Sequence, residues 1–323
     1  MPPVFETLFG NLIVPTILFF ALGLVAAALR SDLSIPEGAA KFLSLYLLLA
    51  IGFKGGHSLS QYGLSADIFK ALAAGILLSF ALPFLAFVLL RVMTSLDTVN
   101  AAAVAGHYGS ISIVTFVAAT SLLELSNLKF DGYMVAVAAS MEVPAILSAL
   151  WIARRFSGDT TTACVPMREL LTNGSVVLLV GAFGIGAVTR ENGMAMIAPF
   201  VVTPFTGILC IFMLDMGLTA GRSLMHNRHL MRAGLFGFGV VMPMAGALLA
   251  WGAGALIGLQ TGSLFLLMVL GASASYIAVP AAMRIALPKA TPGIYLTLAL
   301  GVTFPFNITV GLPVYLWLAG LGG

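Results

Sequence analysis

Apolar runs of about 20 residues, each long enough to cross a bilayer as a helix, follow one another along the chain with only short polar turns between them. They predict ten spans, at 11–29, 38–58, 71–93, 98–122, 132–153, 171–189, 194–220, 231–258, 262–287 and 293–320. The polar punctuation repeats. Gly52-Phe53-Lys54-Gly55-Gly56-His57-Ser58-Leu59 returns 165 residues later as Gly217-Leu218-Thr219-Ala220-Gly221-Arg222-Ser223-Leu224. The same offset lays Gly106-His107-Tyr108-Gly109-Ser110 over Gly271-Ala272-Ser273-Ala274-Ser275. Pro36 and Pro199 stand ahead of spans 2 and 7, and Pro144 and Pro305 match within spans 5 and 10 at an offset of 161. The expected fold is an all-α integral membrane protein of two five-helix repeats, at 1–155 and 171–323, joined by a linker at 156–170. Five is odd, so the second repeat would be inverted across the membrane.

Composition supports the membrane reading and removes other classes. Hydrophobic residues make up 60% of the chain and charged residues 8%, against about 25% charged in soluble domains. The net charge is only +3 and the basic residues are scattered over short turns, which argues against nucleic-acid binding. Cys164 and Cys210 fit no metal-ligand spacing. Pro2, Pro3 and Glu6 stand where a cleavable signal peptide needs a basic start. Of the 15 Lys and Arg, eleven fall after odd-numbered spans and four (Lys54, Lys70, Lys129, Arg190) after even-numbered ones. Positive-inside bias then places the odd-numbered turns and the linker in the cytoplasm and both termini outside it.

Span 4 carries Gly106-His107-Tyr108-Gly109-Ser110-Ile111-Ser112, and span 9 carries Gly271-Ala272-Ser273-Ala274-Ser275-Tyr276 followed by Pro280. Glycine and serine weaken a helix and proline removes a donor, so both spans can break at mid-membrane. A broken helix leaves free amides on one half and free carbonyls on the other. The amide end attracts an anion, and carbonyls with hydroxyls can ligate sodium. The bland alternative is close packing of small residues. Glu142, in Ser140-Met141-Glu142-Val143-Pro144, is an acid at membrane depth, a functional candidate or a protonated structural acid. Asn307 binds a ligand or links helices. Asp215, deep in span 7, aligns with Ala50 and so has no acid counterpart; it is a second cation ligand or an interface contact. Lys54, His57, Arg222 and His226 read as interface residues, and His107 as a helix-linking hydrogen-bonder. No Walker pattern, no HExxH and no nucleophile–base pair appears, so neither ATP hydrolysis by this chain nor enzymatic catalysis is expected.

Asp32-Leu33-Ser34-Ile35-Pro36-Glu37, Gly52-Phe53-Lys54-Gly55-Gly56, the stretch from Gly271 to Arg284, and Gly301-Val302-Thr303-Phe304-Pro305-Phe306-Asn307 resemble the sodium-dependent bicarbonate transporter family of cyanobacteria and many other bacteria. The resemblance runs from about residue 12 to the C-terminus. It implies a homotrimer in the bacterial inner membrane that takes up bicarbonate with sodium. Spans 1, 2, 6 and 7 would form a gate, and the other six a core that slides like an elevator. Crossing breaks in spans 4 and 9 would hold the anion. By match to the family pattern, Gly109, Ser110, Ser112, Ser273, Ala274 and Ser275 would contact it, and Glu142, Thr303 and Asn307 would ligate sodium. Many family members carry aspartate before the span 5 proline, where this chain has Glu142; the extra methylene moves the carboxylate by about 1.5 Å. Cyanobacterial members use a longer linker to dock a PII-like regulator, and the short linker here argues against that partner.

A small monoanion suits a compact cage of amides and hydroxyls. No arginine lies at the cage, and a co-bound sodium would supply positive charge only during coupled transport. Two other functions stay open: symport of another small monoanion, and cation/proton exchange with Glu142 or Asp215 as proton carrier. A membrane sensor without transport is disfavoured because no soluble output domain is visible.

Overall fold

The computed structural model describes residues 15–62, 66–157, 174–227, 230–276 and 278–322. The expected linker lies almost wholly outside them, as do Cys164, Pro2, Pro3 and Glu6. The described residues are helical, with no strand among them. Seven stretches among them are long and apolar enough to cross a membrane, and Pro15–Ala28 and Thr261–Ala272 are apolar but shorter.

In chain order the helices are α1 (Pro15–Ala28), α2 (Glu37–Tyr62), α3 (Ala66–Met93), α4 (Thr98–Gly109), α5 (Ile113–Leu125), α6 (Met134–Ser140), α7 (Glu142–Ser157), α8 (Gly174–Val201), α9 (Phe205–His226), α10 (Ala233–Leu256), α11 (Thr261–Ala272), α12 (Ala278–Ala286) and α13 (residues 292–322). Span 4 is therefore split into α4 and α5, and span 9 into α11 and α12. Span 5 also divides, at Met141. Pro144 falls in the first turn of α7, where the missing N–H has no helical partner to lose. Span 10 stays continuous through Pro305, with π-helical turns at Leu298–Thr303 and Asn307–Gly311 on either side of it. Widened turns of this kind absorb a residue that cannot donate.

Two boundaries differ from the expectation. Span 7 was expected at 194–220, but α8 runs to Val201 across a kink and α9 begins only at Phe205. The kink is at Arg190 (φ 54°, ψ −142°), and Arg30, just beyond α1, also has a positive φ (56°). Glycine or asparagine is the usual residue at such stops; span 6 was nevertheless expected to end at 189, beside this kink. Pro199 consequently lies inside α8, whereas Pro36 sits directly before α2.

Helix pairing exchanges the halves of the chain. α1 packs on α9, and α2 packs on α8. Both contacts bring backbones together at glycines. A side chain on Gly23 would strike Leu214 O of α9, and one on Gly217 would strike Phe20 O of α1. Gly56 meets Phe183 O of α8, and Gly186 meets Phe53 O of α2. Close packing of this kind holds helices together in lipid, where the hydrophobic effect between them is absent. A second group is built from α3, α4 and α7 in one half and α10, α11 and α13 in the other. The outer helices α3, α8 and α10 expose rows of large apolar side chains, such as Phe69, Leu77, Phe80, Phe84 and Val88 on α3. α4, α5 and α11, by contrast, are buried nearly throughout.

Candidate functional site

The two breaks meet. α4 is capped at its start by Asp97, whose carboxylate accepts from Asn100 N at 3.0 Å and from Asn100 Nδ2. Burial pushes the Asp97 carboxyl up, but the hydrogen bonds from Asn100 and nearby amides outweigh it and hold it below the ordinary aspartate range. The helix ends after Gly109, and Ser110 leaves it in extended geometry (φ −90°, ψ 172°). α11 ends in the same way, with Ser273 at φ −89°, ψ 162°. Each of these half-helices has 12 residues. The caps thus align Ser110 with Ser273 and Asp97 with Gln260, an offset of 163. This corrects the alignment at 165, which had set Ser110 over Ser275. Ser112 now pairs with Ser275.

The two extended segments are hydrogen-bonded to each other. Ser112 N donates to Ser273 Oγ at 2.9 Å, and Ser275 N donates to His107 O at 2.8 Å. Ser273 Oγ also donates to Leu270 O at 3.0 Å. Ser112 in turn caps α5, its hydroxyl accepting from Thr115 N at 3.3 Å and Thr115 Oγ1 at 3.0 Å. The amide end of α5 therefore opens at the crossing, where its partial positive charge is buried. Gly109, Ser110, Ser112, Ser273, Ala274 and Ser275 are all buried here, so the structure brings the six residues together. Their roles are unequal. Ser110 Oγ is fully buried and has no hydrogen-bond partner among the described residues.

Glu142 reaches the same level by register. Ala149 abuts Gly106, and Ala145 abuts Gly109, along the α4–α7 contact. One turn further toward the start of α7, on the same face, is Glu142, opposite the 110–112 break. It is buried and makes no side-chain hydrogen bond or ion pair with a described residue. Asn307 approaches the other break. Its Nδ2 donates to Ala272 O at 2.8 Å, and its Oδ1 accepts from Tyr315 OH at 2.9 Å. Thr303 donates to Gly239 O at 2.8 Å and shares a hydrogen bond with Tyr108 OH. The three expected sodium ligands thus flank the crossing without touching one another, and two of them are occupied by protein partners. Asp215 is buried on α9, in the α1–α9 pairing rather than at the crossing.

Several polar residues do other work than the sequence suggested. Lys54 forms an exposed ion pair with Glu124 of α5 and lies 4.8 Å from the Phe205 ring centroid. His107 links helices by stacking on Tyr295 at 4.4 Å, while its Nδ1 is bonded within its own helix to Ala103 O. Tyr108 and Ser79 were not singled out. Ser79 donates to Met141 O and so satisfies the carbonyl freed where span 5 divides. Its signal was a hydroxyl one turn before Pro83 in an otherwise apolar run.

The profile of the Na+-dependent bicarbonate transporter superfamily matches residues 15–320. The chain belongs to that superfamily, which bears out the resemblance carried by its motifs. No curated protein matches the chain.

Proposed function

We propose that this superfamily member is a secondary active transporter that carries bicarbonate inward with sodium through the bacterial inner membrane. The observation that carries the reading is the hydrogen-bonded crossing of two broken helices around the unpartnered, buried Ser110 hydroxyl. That hydroxyl and the first amides of α5 are donors suited to a small monoanion. Sodium is cargo here: Glu142 supplies the negative charge, and the carbonyls and hydroxyls at the breaks supply neutral oxygens. Binding of the two ions is then mutually reinforcing.

The exchanged helix pairing and the equal half-helices support two inverted five-helix repeats with both termini outside the cytoplasm. In this reading α1, α2, α8 and α9 are the gate and the remaining helices slide past it as the core. The assembly is a homotrimer, checked by mass measurement in a native detergent belt.

The test is uptake of radiolabelled bicarbonate by proteoliposomes under an inward sodium or potassium gradient. Wild type takes up label only with sodium, and Ser110→Ala combined with Ser275→Ala abolishes uptake. Folded protein without uptake removes bicarbonate as substrate. One observation favours a second reading: Glu142 is a buried acid with no side-chain hydrogen bond or ion pair to a described residue, as a proton carrier would be. Cation/proton exchange predicts sodium-driven proton flux with no bicarbonate present.

A further inference from the structure

Five buried side-chain polar atoms lack a hydrogen-bond partner among the described residues, and two of them lie in the segments that join the half-helices: Ser110 Oγ in the first break and Tyr276 OH in the second. Other polar groups of the second break are tied. Ser273 Oγ is held by Ser112 N and Leu270 O, and Ser275 N is spent on His107 O. One residue further, the phenol carries no such tie. Its ring packs edge-on against Phe304 of α13 with centroids 5.7 Å apart, and Phe304 packs likewise on Phe20 of α1 at 5.2 Å. Its hydroxyl comes up beside the side chain of Ser112, the residue that caps α5. The phenol therefore reaches from the second break to the amide end of α5 in the first.

The donors open at that end are few. Thr115 N is taken by the Ser112 cap. The amides of Ile113 and Val114 begin α5 and have no earlier turn to bond to. With the Ser110 hydroxyl they form a donor set that belongs wholly to the first break. A two-oxygen head, such as a carboxylate, can be held by that set alone. It then turns C–H or carbon toward the second break and leaves the buried Tyr276 hydroxyl unsatisfied, which is unfavourable. A trigonal anion turns a third oxygen there instead. In bicarbonate one oxygen carries a proton, and a phenol can donate or accept, so it satisfies an O–H as well as a bare oxygen.

We propose that Tyr276 is a specificity residue of the transport site, whose hydroxyl bonds the third oxygen of a trigonal monoanion and so selects bicarbonate over small carboxylates. The inference rests on the transport reading above and deepens it by naming the substrate class.

The test compares wild type with Tyr276→Phe, which removes one oxygen and keeps the ring on Phe304. Thermal midpoints of detergent-solubilised protein are followed at constant pH during titration with sodium bicarbonate, sodium nitrate or sodium formate, with sodium gluconate holding the sodium concentration constant. Nitrate is trigonal with three oxygens, and formate has two. Without these anions Tyr276→Phe should melt at the wild-type temperature or above it, since no protein hydrogen bond is lost. Half-maximal stabilisation by bicarbonate or nitrate should need about tenfold more anion in the variant, for one missing hydrogen bond in a dry site. The response to formate should stay within about twofold. A lower midpoint without anion would show that the hydroxyl serves the fold, and the inference falls. It falls also if nitrate and formate are weakened alike, if nitrate is not weakened, or if neither three-oxygen anion stabilises wild type.

Uptake by proteoliposomes gives the second readout. The KM for bicarbonate should rise about tenfold in Tyr276→Phe, with the maximal rate within about twofold; an unchanged KM overturns the assignment. Wild type that shows the contrast between nitrate and formate but takes up no bicarbonate keeps the three-oxygen site and strikes the transport reading instead.

Discussion

Ser110 and Ser273 occupy equivalent places in the two halves. Each ends a 12-residue half-helix, and each leaves it through nearly the same backbone angles. Their hydroxyls nevertheless do opposite things. Ser273 Oγ accepts from Ser112 N and donates to Leu270 O, so it is spent holding the crossing together. Ser110 Oγ is buried and has no partner among the described residues. Asn307 and Glu142 divide in the same way: the amide is bonded on both sides, and the carboxyl makes no side-chain bond to a described residue. The two serines thus divide between frame and free donor although they end matching half-helices. Buried polar groups are normally satisfied, and the residues proposed for ligand are those left unsatisfied in these two comparisons.

The comparison breaks if frame and ligand residues respond alike to truncation. The largest contrast is between Glu142→Gln and Asn307→Ala. Asn307→Ala orphans Ala272 O and Tyr315 OH and lowers stability by about 2 kcal/mol, each lost interhelical bond in a membrane being modest. It shows as a fall in the thermal midpoint. Glu142→Gln leaves the midpoint unchanged or higher, because a buried acid is removed, while sodium-dependent uptake drops by about a hundredfold, as expected for loss of a charged ligand.

The serines come next. Ser273→Ala strands the Ser112 amide in a dry site and costs about 1–2 kcal/mol. Ser110→Ala has no bond to lose, so the midpoint holds, and bicarbonate uptake falls about tenfold for one missing donor. Loss of stability in Ser110→Ala would mean that its hydroxyl belongs to the frame.

The smallest effects sharpen the comparison at the other ends of the same half-helices. Asp97 caps α4 through its carboxylate, whereas Gln260 makes no side-chain cap on α11. Asp97→Ala should cost about 1 kcal/mol and Gln260→Ala close to nothing. The Asp97 carboxyl is held below its ordinary range in the fold. Its contribution is therefore complete above the unfolded aspartate pKa and is lost as pH falls through the lowered folded value. Denaturation midpoints measured from neutral to acid pH should show that loss in wild type. Asp97→Asn keeps the cap and should be insensitive to pH over the same window.

Much of this was legible in the chain itself. Apolar runs gave the membrane, because nothing but a helix satisfies its own backbone in lipid along one run of residues. Glycine, serine and proline at fixed spacing marked both broken spans, since they weaken a helix wherever they stand. The motifs around Gly52–Gly56, Gly271–Arg284 and Gly301–Asn307 gave the superfamily. Several things were not legible. Span 6 was expected to end at 189, beside the Arg190 kink, but the helix that resumes there and runs to Val201 was not expected. The 165 offset of the motif around Gly106 missed the true pairing of Ser110 with Ser273 by two residues, because similarity of composition cannot see a cap. Whether a proline divides a helix, as near Pro144, or is absorbed by π turns, as at Pro305, is set by neighbours: Ser79 takes the freed carbonyl in one case.

The sequence by itself determined that the chain lies in a membrane, that its small-residue motifs recur in its second half, and where its helices are weakest. Those properties follow from local residue chemistry. Only the tertiary structure decided which of two equivalent serines is tied and which is left without a described partner, and that Lys54 pairs with Glu124. Such choices depend on partners 70 to 161 residues away along the chain, and no local pattern specifies which distant group will arrive first at a hydrogen bond.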